Sequence, residues 1–221
     1  MALTGTKRAI TIFGLIFTCL AFVCMIVCFT TPHWLERFPY KRNTKVFVRL
    51  GLWEACFNDW QYYKDYLGKR YNGCWWIFHF EYRPVWPWLN PPWLLAVQIM
   101  MTLALMLHMT TIVFNILYFV GCCPPHKEQS YVRASWIMNF LAGAFITISS
   151  IIFAIKADTD RQWLPNPDSN YLSWSFGFCV LSGFFSLFAA ICLLADYMRF
   201  RFEDEKNSRG PAYAVKANPK F

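Results

Sequence analysis

Cysteine is the residue type best able to do covalent chemistry in this sequence, and its nine copies fall into three settings. Cys19, Cys24, Cys28, Cys179 and Cys192 stand inside long apolar runs, where a thiol behaves as a small buried hydrophobe. Cys122 and Cys123 are adjacent, with Pro124 and Pro125 after them, just past the end of another run. That juxtamembrane setting suits thioester acylation, and the pair is expected to be palmitoylated rather than idle. Only Cys56 and Cys74 lie in the long segment between the first two runs. On neighbouring strands facing an oxidising space, two such thiols are expected to be bridged rather than free. A ring of this size stabilises by roughly 3 kcal/mol, enough to hold a small sheet that lacks a deep core.

Other catalytic chemistry finds no support. The histidines at 33, 79, 108 and 126 have no ligand spacing, and there is no glycine-rich phosphate loop, nucleophile elbow or paired carboxylate motif. The chain is therefore not expected to be an enzyme, and no metal or nucleotide cofactor is expected.

The elements that carry these residues follow from composition. Hydrophobic residues make up 57% and charged residues 15%, where a soluble domain carries about a quarter charged. Twenty-two Phe, eleven Trp and eleven Tyr exceed what one soluble core of a 221-residue chain would bury. The apolar runs must meet lipid. A spanning helix needs roughly 20 apolar residues, and four segments supply them, at 9–31, 93–120, 134–155 and 174–198. The chain divides accordingly into a tail (1–8), a large first loop (32–92), a short connection (121–133), a second loop (156–173) and a closing tail (199–221). That last segment is polar, mixed in charge and expected to be disordered.

Charge sets the orientation. The first loop carries nine cations, Arg37, Lys41, Arg42, Lys45, Arg49, Lys64, Lys69, Arg70 and Arg83, but a loop of about 60 residues translocates largely regardless of charge. The short segments decide. Lys7 and Arg8, Lys127 and Arg133, and Arg199, Arg201, Lys206 and Arg209 all fall on one side, so both termini are expected in the cytoplasm. The net charge of +8 is accounted for by this flanking placement, and nucleic acid is not an expected partner.

Within the first loop, residues 45–56 read as one strand and 74–80 as a second, with Asn72-Gly73 as the tight-turn signal before it. Trp34, then Gly51-Leu52-Trp53, then Cys56 and Cys74 resemble the signature of the claudin and peripheral-myelin-protein superfamily. The interval between the two cysteines is wider than usual for claudins. The chain is in this respect most similar to divergent members such as the claudin-like proteins of insect septate junctions, the Pasiflora type. The resemblance implies a membrane four-helix bundle with a small extracellular antiparallel β-sheet, and Trp34 with Gly51-Leu52-Trp53 held near the membrane surface. It also implies a junction protein at the lateral plasma membrane. Such a protein associates with itself and with other claudin-like or junction proteins, in one membrane and across two, and contributes to an occluding, paracellular barrier. An auxiliary, γ-type subunit of an ion channel or receptor shares the architecture and is the alternative. The altered loop length prevents carry-over of a pore position to Lys64, Asp65, Lys69 or Arg70.

Four further features have two readings each. Trp86, Trp88 and Trp93 among prolines are expected to form an interfacial aromatic belt rather than a contact surface. Trp163-Leu164-Pro165 in the second loop is either an exposed contact for an opposed cell, as in claudins, or a turn lying on the first-loop sheet or on lipid. His108, the one ionisable group expected well inside a span, is expected with Asn115 and Asn139 to bond between helices rather than to carry transport; Ala142, Gly143, Ala144, Gly177 and Gly183 suit close helix contact. The last residues, Asn218-Pro219-Lys220-Phe221, end on an apolar side chain, but Pro219 removes a backbone donor, so a PDZ scaffold is a doubtful partner.

Overall fold

The computed structural model describes residues 5–38, 46–64, 68–121 and 127–216. Four helices among them are long and apolar enough to cross a membrane: α1 (Gly5–Thr30), α3 (Pro92–Val120), α4 (Glu128–Thr159) and α5 (Trp174–Lys216), where α2 is a single turn at Trp86–Leu89. In hydrocarbon a helix satisfies every backbone group within its own segment, which is why the apolar runs take this form. Prolines and glycine punctuate them. Pro92 opens α3 at the position where a missing N–H costs nothing, and Gly121 ends it in the left-handed conformation at φ 76°. The helix α1 packs against α3 and α5, and α4 against α3 and α5, which closes a four-helix bundle. The helix α5 continues beyond the expected span, so disorder from residue 199 is corrected as far as Lys216. An Arg201–Glu205 pair one turn apart supports that extension.

At one end of the bundle sits a five-stranded antiparallel sheet in the order β4-β3-β2-β1-β5, formed by β1 (Leu35–Arg37), β2 (Val46–Leu50), β3 (Glu54–Gln61), β4 (Arg70–Trp76) and β5 (Asn170–Leu172). The first loop supplies four strands, and the second loop adds β5 alongside β1. Three sequence expectations are corrected. The strand expected at 45–56 breaks at Gly51-Leu52-Trp53 into β2 and β3, because the chain there descends onto the ends of the helices. The strand expected at 74–80 ends at Trp76 and gives way to a 3-10 helix at Phe80–Val85. Asn72-Gly73 is not the hairpin turn. The left-handed freedom of Gly73 (φ 87°) and of Asp59 (φ 44°) is spent on a bulge inside the β3–β4 ladder, where Asn72 Oδ1 accepts from the Asp59 N–H at 2.6 Å.

The sheet is packed more deeply than the expectation of a sheet lacking a deep core, because its buried residues belong to one core that runs on into the helix bundle. Phe47, Leu50, Phe57, Ile77 and Tyr82 are all fully buried. Phe57 stacks on Trp60 at 4.7 Å, Trp60 stacks on Trp88 at 4.9 Å, and the Tyr82 hydroxyl donates to the Ala55 carbonyl at 2.8 Å. Aromatic side chains fill much volume per residue, which lets a small sheet build such a core.

Candidate functional site

Trp34 joins the two halves of the molecule. Its side chain is fully buried, with its ring against Phe153 of α4 at 4.8 Å and Phe176 of α5 at 5.7 Å. The indole N–H donates to the Cys28 carbonyl of α1 at 2.6 Å. Its own backbone belongs to the sheet: the Trp34 N–H donates to the Leu50 carbonyl, and the Trp34 carbonyl accepts from Ser173 beyond β5. One residue thus fastens three membrane helices to the sheet.

The Gly51-Leu52-Trp53 corner makes the second attachment. Gly51 lies against the Thr31–Pro32 backbone, at a distance that leaves no room for a side chain. Leu52 is buried and its carbonyl accepts from Gln98 Nε2, on the second turn of α3, at 2.8 Å. Trp53 rests on Phe29 of α1, with ring centroids 5.3 Å apart. The motif residues Trp34, Gly51, Leu52 and Trp53 are therefore brought together at the helix–sheet junction.

Cys56 and Cys74 lie farther out, directly opposite each other on β3 and β4, and form a disulfide. Arg49 Nε donates toward Cys56 Sγ at 3.4 Å. Glu54 converges on the same two sulfurs, but their bridge leaves no thiolate for a metal. Replacing both cysteines by Ala is expected to destabilise the hairpin by about 3 kcal/mol, seen as faster limited proteolysis between β3 and β4 while the helical circular dichroism is retained.

The described residues on either side of positions 65–67 are tied down. Beyond β3, Tyr62 packs on Trp88 at 5.2 Å, Lys69 Nζ pairs with Glu81 at 2.7 Å, and Arg70 pairs with Asp59 at 2.7 Å. Two cations of the region, Lys69 and Arg70, are matched by carboxylates; Asp65 lies outside the described residues. At the other edge of the sheet, Glu36 of β1 accepts from the Tyr171 hydroxyl of β5 at 2.9 Å and pairs with His33. Burial acts to raise the Glu36 pKa, but hydrogen bonds from His33, Tyr171 and Ser173 outweigh it and hold the carboxyl below its ordinary value. A lowered folded-state value adds stability above the unfolded pKa and loses it as pH falls through the folded one. The β1–β5 edge is therefore expected to hold at neutral pH and to loosen only in acid, which pH-dependent amide exchange at residues 35–37 and 170–172 checks.

The exposed contact reading of Trp163-Leu164-Pro165 is corrected. Trp163 and Leu164 are 3% and 5% exposed and Pro165 is half-buried. The Trp163 indole donates to the Leu89 carbonyl at 3.2 Å, and its ring meets Trp93 edge-on at 4.5 Å. Two large apolar side chains on a stiff turn gain more by filling the gap between the start of α3 and the end of α4 than by facing water. Of the aromatic belt, Trp86 is exposed, whereas the indoles of Trp88 and Trp93 donate to the second loop, at Gln162 and Asp160.

Inside the bundle, Thr18 Oγ1 accepts from Asn115 Nδ2 at 3.4 Å and from Asn139 Nδ2 at 3.2 Å. Ser186 Oγ donates to the Asn139 carbonyl at 2.8 Å and lies 3.3 Å from His108 Nε2. One polar node therefore touches all four helices. Thr18→Val removes the shared acceptor and is expected to cost on the order of 1 kcal/mol, read as a lower Tm of the purified protein. His108 is not the only ionisable group there: Asp196 of α5 is 3% exposed and accepts from Thr11 Oγ1 at 2.8 Å. A lone carboxylate within an apolar run is its sequence signal. Among the small residues, Gly143 admits Leu187 and Gly183 admits Ile146, whereas Gly177 faces open space. Cys122 and Cys123 lie outside the described residues.

Residues 19–195 match the family described as PMP-22/EMP/MP20/Claudin tight junction. No curated protein matches the chain.

Proposed function

The chain belongs to the PMP-22, EMP, MP20 and claudin family, and on that premise we propose that it is a claudin-like cell–cell junction protein that helps assemble an occluding junction, septate or tight in type, and its paracellular barrier. The observation that carries this reading is the mounting of the sheet. Trp34 is buried among α1, α4 and α5, and Leu52 is tied to α3, so the disulfide-held hairpin is presented at a fixed height and angle to the bundle. A partner surface held this rigidly loses little conformational freedom on association, which suits repeated contacts of modest size. In this reading both termini are cytoplasmic, the sheet faces the intercellular space at the lateral plasma membrane, and the partners are further copies or other junction proteins, in the same membrane and the opposed one.

Tagged protein in a polarised epithelium is expected to concentrate at the lateral occluding junction, and its depletion is expected to let a tracer dye cross between cells. Uniform plasma-membrane distribution with intact dye exclusion would sink the proposal. Stoichiometric co-purification with one ion channel would turn the reading to an auxiliary, γ-type subunit.

Acylation of Cys122 and Cys123 belongs to the same proposal, since a thioester-linked chain would tether the connection between α3 and α4 to the inner leaflet. Hydroxylamine-sensitive palmitate labelling is expected on the wild type and is expected to vanish when both residues are Ser; unchanged labelling removes the idea.

A further inference from the structure

A chain of aromatic rings leads from the first span out onto the sheet. Phe29, the second-last residue of α1, meets Trp53 at 5.3 Å; Trp53 meets Phe78 at 6.4 Å; Phe78 meets Trp76 at 5.2 Å and Trp86 at 5.9 Å. The outer members are open: Trp76 is 55% exposed, Trp86 39% and Phe78 36%. Three bulky rings side by side form an apolar patch of the kind that soluble surfaces avoid unless something covers it.

What covers it follows from its height. Phe29 stands at the end of the first span, and Trp86 opens the short α2 that delivers the chain to the second span at Pro92. Leu52, next to Trp53, is bonded to the second turn of α3. The patch therefore lies between the points where two spans meet the bilayer surface, and it is continuous through Phe29 with the apolar face that α1 turns to lipid. At that depth hydrocarbon gives way to headgroups, the medium in which an indole finds both an apolar bed and acceptors for its N–H. Charge borders the patch: Glu54 stands directly across the ladder from Trp76, on the same face of the sheet, at the edge where rings meet polar groups.

We propose that Trp76, Phe78 and Trp86 insert into the headgroup region of the bilayer that surrounds this protein's own helices, so that the sheet is docked on phospholipid as well as on the bundle. The end of β4 and the segment that follows it then lie on the membrane, and the tilt of the sheet is held at two places: by Trp34 through protein and by this patch through lipid. The opposite face of β4 behaves differently. Trp75, also exposed at 41%, points the other way and donates its indole N–H to the Asn72 carbonyl.

The test uses full-length protein carrying 5-fluorotryptophan, one copy per phosphatidylcholine nanodisc, with Trp75→Phe, Trp76→Phe and Trp86→Phe each assigning one fluorine resonance. The expected result is loss of the Trp76 and Trp86 signals when the nanodisc contains headgroup-spin-labelled lipid, and their survival in a water-soluble gadolinium chelate. Trp75 is expected to show the reverse. If the chelate erased Trp76 and Trp86 while spin-labelled lipid spared them, the patch would be in water. Were both signals spared by both reagents, protein would be covering them. Either outcome overturns the proposal.

Discussion

Trp34→Ala is expected to release the sheet from the bundle, at a cost of about 3–5 kcal/mol. The side chain is fully buried and touches Phe153 and Phe176, so its removal opens a cavity where three helices meet the sheet. The lost indole also strips the Cys28 carbonyl of a short, buried donor. Neighbouring helices cannot collapse into the space, because α1, α4 and α5 are held at their spacing by the rest of the bundle. The helices themselves should persist, since their backbone bonds are internal and lipid favours them. The expected signature is a large drop in the Tm of the purified protein and failure to reach the cell surface, with the helical signal intact. Trp34→Phe separates the two contributions: it keeps most of the ring and loses the hydrogen bond, and should cost about 1–3 kcal/mol. An unchanged Tm for the Ala variant would show that Trp34 does not fasten the sheet.

The second large effect comes from the smallest side chain. A Cβ on Gly51 would stand 2.5 Å from Pro32 Cα and 2.8 Å from the Thr31 carbonyl oxygen. Both are backbone atoms at the exit of α1, where no rotamer change can make room. Gly51→Ala is expected to push the β2–β3 corner off the helix ends and to cost about 3 kcal/mol, along with the Leu52–Gln98 bond that depends on the approach. Gly177→Ala is the matched control, because nothing lies within 4 Å of the added methyl there. Comparing the two by Tm, and by protection of the Leu52 and Trp53 amides from exchange, checks the argument; equal behaviour of the two variants would refute it.

Much of this architecture was legible along the chain because its causes are local. A run of some 20 apolar residues must be helical in a bilayer whatever its neighbours do, and so four helices could be read from composition. The pairing of Cys56 with Cys74 was readable for a comparable reason: the other cysteines stand in or beside the apolar runs. The β5 strand was not readable, since three residues carry no periodicity and their hydrogen bonds go to β1, more than a hundred positions earlier. Asn72-Gly73 misled because a positive φ serves a bulge as well as a turn, and only the partner strand decides which. Trp163 and Leu164 misled because a proline-stiffened turn looks exposed until the gap it fills is known.

What the sequence by itself determined is the class of molecule: spans, loops, one disulfide and a family motif, all set by hydropathy and by residue chemistry that acts within a few positions. The tertiary structure decided what the motif is for. Trp34, Gly51 and Leu52 face inward and join sheet to bundle, whereas the aromatic rings left outside are Trp76, Phe78 and Trp86. The reason is geometric. An aromatic residue is equally at home in a core, at a lipid surface or against a partner, and which of these it meets depends on side chains brought near it by distant parts of the chain.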